Sequence, residues 1–298
     1  MSAQDSLFDF SKTAELDDDE VAGLVCPKLD KAPLLLPPSV QAYYQQDGIA
    51  IVHGDCREIL PKLPKAWCST CGVQLEDESI LAIHLGANHD IRPYFDFCLT
   101  DPPYGVDYDG GALYVRDKLT GDKSANLYGD VLPILAKTLA PDAALYLFYA
   151  DGDAAVLAAV LAAGFEIRNN LIWNKQLAQF GALSAQYKTK HEPFLYCHLR
   201  GESPRWFGPT NETTVWDHDR ANNGNLFHPT QKPTSLIKRA LRNSTLPSDR
   251  IIDPFMGGGS TLLAAREMGR FGIGIEVEEK FCEVAAKRLS QNLLEFSE

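Results

Sequence analysis

Apolar and polar positions alternate between short runs along most of the chain. Gly48 to His53 is a short buried strand that ends at Gly54-Asp55-Cys56. Arg57 to Leu63 opens a helix cut by Pro64. Tyr94 to Thr100 is a second strand and runs into Asp101-Pro-Pro-Tyr104-Gly105. Polar, glycine-rich sequence then leads to Gly129, which the pattern reads as a loop. Val131 to Leu139 is helical, Ala143 to Tyr149 a strand, and Ala154 to Ala163 a helix ended by Gly164. Glu166 to Trp173 and Pro193 to Leu199 are further strands, whereas Leu199 to Phe227 has little periodicity. Ser235 to Asn243 is a helix, Arg250 to Ile252 a strand, Ser260 to Met268 a helix, and Phe271 to Val277 a strand before a helix from Lys280. Strands alternating with helices predict an α/β fold with a mainly parallel sheet covered on both faces.

Two glycine-containing turns carry candidate chemistry. Asp253-Pro-Phe-Met-Gly257-Gly-Gly259-Ser260 follows a strand and opens a helix. Glycines let a ligand approach the backbone, and a helix start offers unpaired N–H groups. The next strand, Phe271 to Glu276, ends in an acid that can accept both hydroxyls of a ribose. The turn lacks the G-x-G-x-x-G and G-K-[ST] patterns, which disfavours a dehydrogenase or an ATPase.

Asp101-Pro102-Pro103-Tyr104 lies just beyond a strand, where open α/β sheets bind ligands. A carboxylate and a backbone carbonyl together can accept the two hydrogens of an exocyclic base amine and stabilise the charge that develops on it. Tyr104 offers a flat face for a base turned out of its stack. Read by residue type alone, the same four residues equally fit a proline-rich turn with a capping Asp.

Charge and cysteines refine the picture. The chain of 298 residues carries a net charge of -12, half of it from seven acids and one lysine in residues 1–20. Residues 1–40 read as an acidic, flexible tail ahead of a catalytic domain over 41–298. No apolar run is long enough to span a bilayer and the N-terminus lacks a signal-peptide pattern, so the expected location is cytoplasmic. Cys68, Cys71, His84 and His89 have the spacing C-x2-C-x12-H-x4-H of a Cys2His2 zinc finger, with Leu75 and Leu81 as its small core. This defines an insertion at 66–91 with a structural zinc. Its base-reading positions would hold Asp77, Ile80 and Ile83, and no Lys or Arg occurs from Cys68 to Ile91. The expectation is a finger that docks on protein, on the chain's own body or a second copy.

Several motifs occur in one order: Gly54-Asp55-Cys56, Asp101-Pro-Pro-Tyr104, Leu171-Ile-Trp-Asn-Lys175, His191-Glu192, His228-Pro-Thr-Gln-Lys-Pro233 and Asp253 to Ser260. In this order the chain resembles the β group of DNA amino-methyltransferases, in which the catalytic motif precedes the cofactor motif. The resemblance implies a Rossmann-like S-adenosylmethionine-dependent methyltransferase fold, circularly permuted, with a seven-stranded sheet containing one antiparallel strand. It places Asp55 and Cys56 by the cofactor adenine, Thr230, Lys232 and Thr234 at the methionine end, Asp253 and Phe255 to Gly259 (with Gly257) along the pocket, and Glu276 on the ribose.

The implied partner is double-stranded DNA and the implied activity is site-specific adenine-N6 methylation. An Asp at position 101 is usual for adenine enzymes, and Ser is more frequent for cytosine-N4 enzymes. Cytosine-N4 methylation is the near alternative, and a non-catalytic DNA-binding scaffold the alternative of another class. An RNA or protein-glutamine methyltransferase fits less well. The family's target-recognition segment would be the short stretch 199–227. There Arg200, Arg205 and Trp206, with Lys188 and Lys190 just before, suit phosphate and base contact, or equally a loop pinned by its own aromatics. A homodimer is compatible with the sequence, and no motif points to a restriction endonuclease partner.

Overall fold

The sheet is built by strands buried on both faces. In β2 (Ile49–His53), Ile49 and Ile51 pack on one side and Ala50 and Val52 on the other, because successive side chains alternate. In β6 (Phe95–Thr100), Phe97 and Leu99 oppose Cys98 in the same way. Strands covered on both faces need apolar residues at every position, which is why they read as unbroken runs. The computed structural model describes residues 36–68, 74–75, 91–103, 127–175, 187–219 and 232–294.

All seven strands expected from the sequence form: β2, β6, β7 (Leu139–Phe148), β8 (Phe165–Asn174), β9 (His191–Leu199), β11 (Arg250–Asp253) and β12 (Phe271–Glu276). They lie in the order β2-β12-β11-β6-β7-β9-β8, parallel except for β9, which runs antiparallel between β7 and β8. Two strands that the pattern did not predict extend the edges. β1 (Tyr44–Gln46) pairs antiparallel with β2, and β10 (Val215–Asp217) pairs parallel with β8. Both are three residues long, and in β10 only Trp216 is buried, so neither leaves a periodic trace.

Helices α1 (Cys56–Ile59), α2 (Leu127–Thr138) and α3 (Ala154–Ala162) contribute to the core on one face. Helices α4 (Thr234–Ser244), α5 (Ser260–Glu267) and α6 (Glu279–Leu294) cover the other. Cys282, Ala285 and Leu289 of α6 recur at the three- and four-residue spacing of one helix face and are fully buried. The helix expected over 57–63 is a single α turn followed by a 3₁₀ turn at Leu60–Lys62. Pro61 has no N–H to continue the α pattern, so the break comes earlier than Pro64. No helix among the described residues is long and apolar enough to cross a membrane.

A small antiparallel sheet, in the order β4-β3-β5, stands beside the start of β6. It comprises β3 (Ala66–Cys68), β4 (Gln74–Leu75) and β5 (Ile91–Pro93). The Arg250 guanidinium lies 3.7 Å from the ring centre of Trp67 and 5.3 Å from that of Tyr94, and Arg92 pairs with Asp142 at 3.2 Å. These contacts fix the small sheet to the amino-terminal edge of the main sheet.

Candidate active site at the carboxyl edge of the sheet

Strand order sets the position of the site. From β11 the chain crosses to β12 on one side, whereas β6 leads to β7 on the other. That divergence leaves a crevice beyond the carboxyl ends of β11 and β6, the usual ligand position in such sheets. Asp101 lies on one side of it, directly after β6, and the turn 253–259 on the other.

The turn is braced from below. Asp253 is buried and accepts from Thr100 Oγ1 at 2.8 Å and from Phe255 N at 3.1 Å. Burial pushes its carboxyl up to about 7, against the pull of the Thr261 and Thr100 hydroxyls. Asp253 therefore ties β11 to β6 and shapes the turn. Gly274 of β12 is required for close packing: a Cβ there would stand 2.6 Å from Met256 Sδ. Gly257 has a φ of +49°, and a Cβ built on it would meet nothing within 4 Å, so there is room over the turn.

Glu276 closes that room. One of its oxygens accepts from Gly257 N at 3.0 Å and the other from Glu278 N at 2.8 Å. Burial raises its pKa, offset by these backbone donors. A carboxylate oxygen has two lone pairs, so both oxygens can still accept from ribose hydroxyls. Asp55 caps α1 through Arg57 N at 2.8 Å and pairs with the Arg57 guanidinium at 2.5 Å, which holds its carboxyl below the usual range. Cys56 beneath it is buried, and its thiol is pushed up to about 12. Next to it, Gly54 N bonds Glu276 O at 2.9 Å, so the Asp55 turn and Glu276 share one corner of the edge.

Asp101 is held by a chain of alternating charges. Lys232 is ion-paired with Asp101 Oδ2 and lies 3.1 Å from Glu192 Oε2, and Glu192 pairs in turn with Lys175. The Lys175 and Lys232 side chains are 2% and 8% exposed, against 24% for Asp101 and 23% for Glu192. The cations are thus buried more deeply than the carboxylates. Burial alone would lower the Lys232 pKa, but Asp101 and Glu192 outweigh it and the net shift is upward. Burial alone would raise the Glu192 pKa, but Lys232 and Lys175 outweigh it and the net shift is downward. The motifs carrying Lys175 and Glu192 are visible in the sequence, but nothing in their spacing assigned those two residues a role.

Beside Asp101, Pro102 and Phe255 line a small, mainly apolar recess with Thr100, Leu127, Tyr128 and Leu147. Burial raises the Tyr128 pKa, with the Asp101 charge adding to it. Thr234 is half-buried at the start of α4, and Gly259 caps α5 with a φ of +74°. Tyr104 and Thr230 lie outside the described residues.

The expected nucleic-acid residues divide between the two edges. Lys188 and Lys190 are exposed just before β9, at the Asp101 edge. Arg200, Arg205 and Trp206 follow β9 and stand at the opposite edge, because β9 is antiparallel. Arg200 Nη2 donates to Leu161 O at 2.8 Å, and Trp206 Nε1 donates to Pro209 O at 3.3 Å. Arg205 is enclosed by Asp96, Asp142 and Asp249 at 3.1–3.4 Å. The structure therefore does not bring these three residues to the site. Of the residues expected to bind zinc, Cys68 is buried at the end of β3, and Cys71, His84 and His89 lie outside the described residues. Among the described residues no group of three or more His, Cys, Asp or Glu is placed to hold a metal.

Comparison with known proteins agrees with this geometry. A family profile described as DNA methylase matches residues 95–287. YubD of Escherichia coli strain K12, described as a methylase, is 30% identical over 200 residues, which span 65% of this chain and 82% of YubD. The solved M1.HpyAVI–SAM complex has a TM-score of 0.58 at 23% identity, covering 81% of this chain and 98% of that one. The PvuII DNA methyltransferase, described as cytosine-N4-specific, has a TM-score of 0.62 at 14% identity, covering 84% and 89%. At such identities the two structures establish a common fold, the Rossmann-like methyltransferase sheet.

Proposed function

This chain belongs to the DNA methylase family, and on that premise we propose that it transfers a methyl group from S-adenosylmethionine to the N6 amine of an adenine in double-stranded DNA. The observation that carries the proposal is Asp101 at the end of β6, across a crevice from the open glycine turn and Glu276.

The residues present fit the cofactor. The room over Gly257 admits a ligand against the backbone, and Glu276 offers acceptors to a pair of ribose hydroxyls. When bound, S-adenosylmethionine supplies an electrophilic methyl group. Asp101 and the Pro102 carbonyl accept the two amine hydrogens, which turns the nitrogen lone pair out of the ring plane and stabilises positive charge as it develops. The buried walls hold amine and acceptors in one orientation. Lys188 and Lys190 give the same edge positive charge toward phosphate.

Asp at position 101 supports adenine over cytosine, following the preference of the resembling enzymes. The test is incubation of labelled S-adenosylmethionine with unmethylated duplex DNA and analysis of the nucleosides, with Asp101→Ala in parallel. N6-methyladenine from the wild type, with at least about 1,000-fold less from the variant, is the expected result. N4-methylcytosine would replace the base and keep the mechanism. No transfer to any DNA by a protein that binds the cofactor would sink the proposal.

A structural zinc in the insertion is part of the same reading. Cys68 ends β3, and its antiparallel partner β4 begins at Gln74, so the two paired strands flank the Cys-x2-Cys spacing in sequence. That spacing fits the first two ligands of a zinc finger. Metal analysis should find one zinc per chain, lost in Cys71→Ser; a zinc-free, stably folded wild type would refute it.

A further inference from the structure

We propose that Lys232 and Glu192 are positioning residues for Asp101. In this reading Lys232 fixes one oxygen of the catalytic carboxylate, and Glu192 keeps Lys232 from collapsing onto it. The inference rests on the methyltransferase function above and deepens it. It also departs from the methionine-end role that the family resemblance gives Lys232.

The four charges come from four separate places in the fold. Lys175 follows β8, Glu192 begins β9, Lys232 precedes α4, and Asp101 follows β6. Strands β8 and β9 fix the first two relative to each other: Trp173 is the register partner of Glu192, and Lys175 N donates to Lys190 O at 2.9 Å. The row runs plus, minus, plus, minus, and its charges sum to zero. A buried ammonium without a counter-charge is strongly disfavoured. Here aromatic faces shelter both ammonium groups. Lys232 Nζ lies 4.6 Å from the Phe148 ring centre, and Lys175 Nζ 5.3 Å from that of Trp173.

Two consequences follow for the chemistry. Lys232 engages Asp101 Oδ2, and holding that oxygen sets the direction of Oδ1 relative to the crevice. Lys232 divides its charge between two anions, so Asp101 keeps acceptor strength for the amine. Without Glu192 the whole of that charge would fall on Asp101 and weaken it as an acceptor.

The test separates binding from transfer. Lys232→Met, Lys232→Arg and Glu192→Gln are compared with wild type by equilibrium binding of S-adenosylmethionine and by single-turnover transfer with cofactor and duplex DNA both saturating. The expected loss in transfer is about 100-fold for Lys232→Met and about tenfold for Glu192→Gln, with cofactor affinity within about threefold of wild type. Lys232→Arg, which keeps the charge, should regain part of the rate. Lys232→Met that binds the cofactor poorly yet transfers at the wild-type rate when saturated would restore the methionine-end role and overturn the inference. So would Glu192→Gln at the wild-type rate. If Lys232→Met does not fold, as a lowered melting temperature would show, the near-isosteric Glu192→Gln decides by the same split. A wild type that binds the cofactor and methylates no DNA overturns the function itself, and the inference with it.

Discussion

The two edges of the sheet carry buried ion networks of similar composition and opposite use. At the amino-terminal edge, Arg205 sits among Asp96, Asp142 and Asp249, and Arg250 lies against Trp67 and Tyr94. At the carboxyl edge, Lys175, Glu192, Lys232 and Asp101 form a row that ends on a crevice. Asp96 and Asp101 stand at opposite ends of β6, roughly 16 Å apart at the rise of an extended strand. The first network is centred on Asp96, 3% exposed, and joins the small sheet to the main one. The second ends on Asp101, 24% exposed, beside the crevice. On the proposed function, the same residue types become structural or chemical according to the end of the strand at which they fall.

The largest effect that would break this contrast is at the closed edge. Arg205→Ala leaves Asp96 and Asp249 facing each other in a buried place and should cost about 3 kcal/mol of stability. Urea unfolding measures the loss, and transfer per folded molecule should be unchanged. A fall in transfer at constant stability would move Arg205 into the functional set. At the open edge, Glu276→Gln keeps an acceptor for Gly257 N but loses charge, and should weaken cofactor binding about tenfold. Unaltered affinity by calorimetry would remove Glu276 from the ribose.

A smaller effect concerns Asp253, whose pKa is raised by burial from 3.8 to about 7. Between those values the folded state holds the proton more tightly than the unfolded state. Its contribution to stability is therefore fully present below about pH 4 and declines as pH rises through 7. Asp253→Asn retains an oxygen for Thr100 and Phe255 N, and should remove on the order of 1 kcal/mol of that decline. An unchanged slope of stability from pH 5 to 7 would show that Asp253 does not titrate there. Smallest of all is the effect on DNA affinity. Lys188→Ala with Lys190→Ala should weaken duplex binding by a factor of about 3 to 10 at low salt and flatten its salt dependence. Arg200→Ala, at the other edge, should do neither; the reverse pattern in a salt titration would put DNA at the amino-terminal edge.

Much of the site was legible because each half is local. Asp101 and Glu276 each close an apolar run, so the strand ends they occupy follow from the pattern alone. The short strands β1 and β10 were not legible, since three residues with little burial carry no period. That Arg200, Arg205 and Trp206 lie at the edge away from Asp101 was not legible, for a topological reason. The alternation of apolar residues is identical for parallel and antiparallel strands, and the direction of β9 decides which edge its carboxyl end reaches. For Lys175 and Glu192 the missing information was the partner rather than the residue.

By itself the sequence determined the α/β alternation, the two chemistry-bearing turns and their order, because each is written within about ten consecutive residues whose burial and turn geometry are local matters. Tertiary structure alone decided that Lys232 meets Asp101 across 131 positions of chain and that Arg205 closes over Asp96 across 109. Contacts of that separation depend on strand order and direction. In a sheet those are settled only when every face has found its covering helices, and no window of sequence contains that decision.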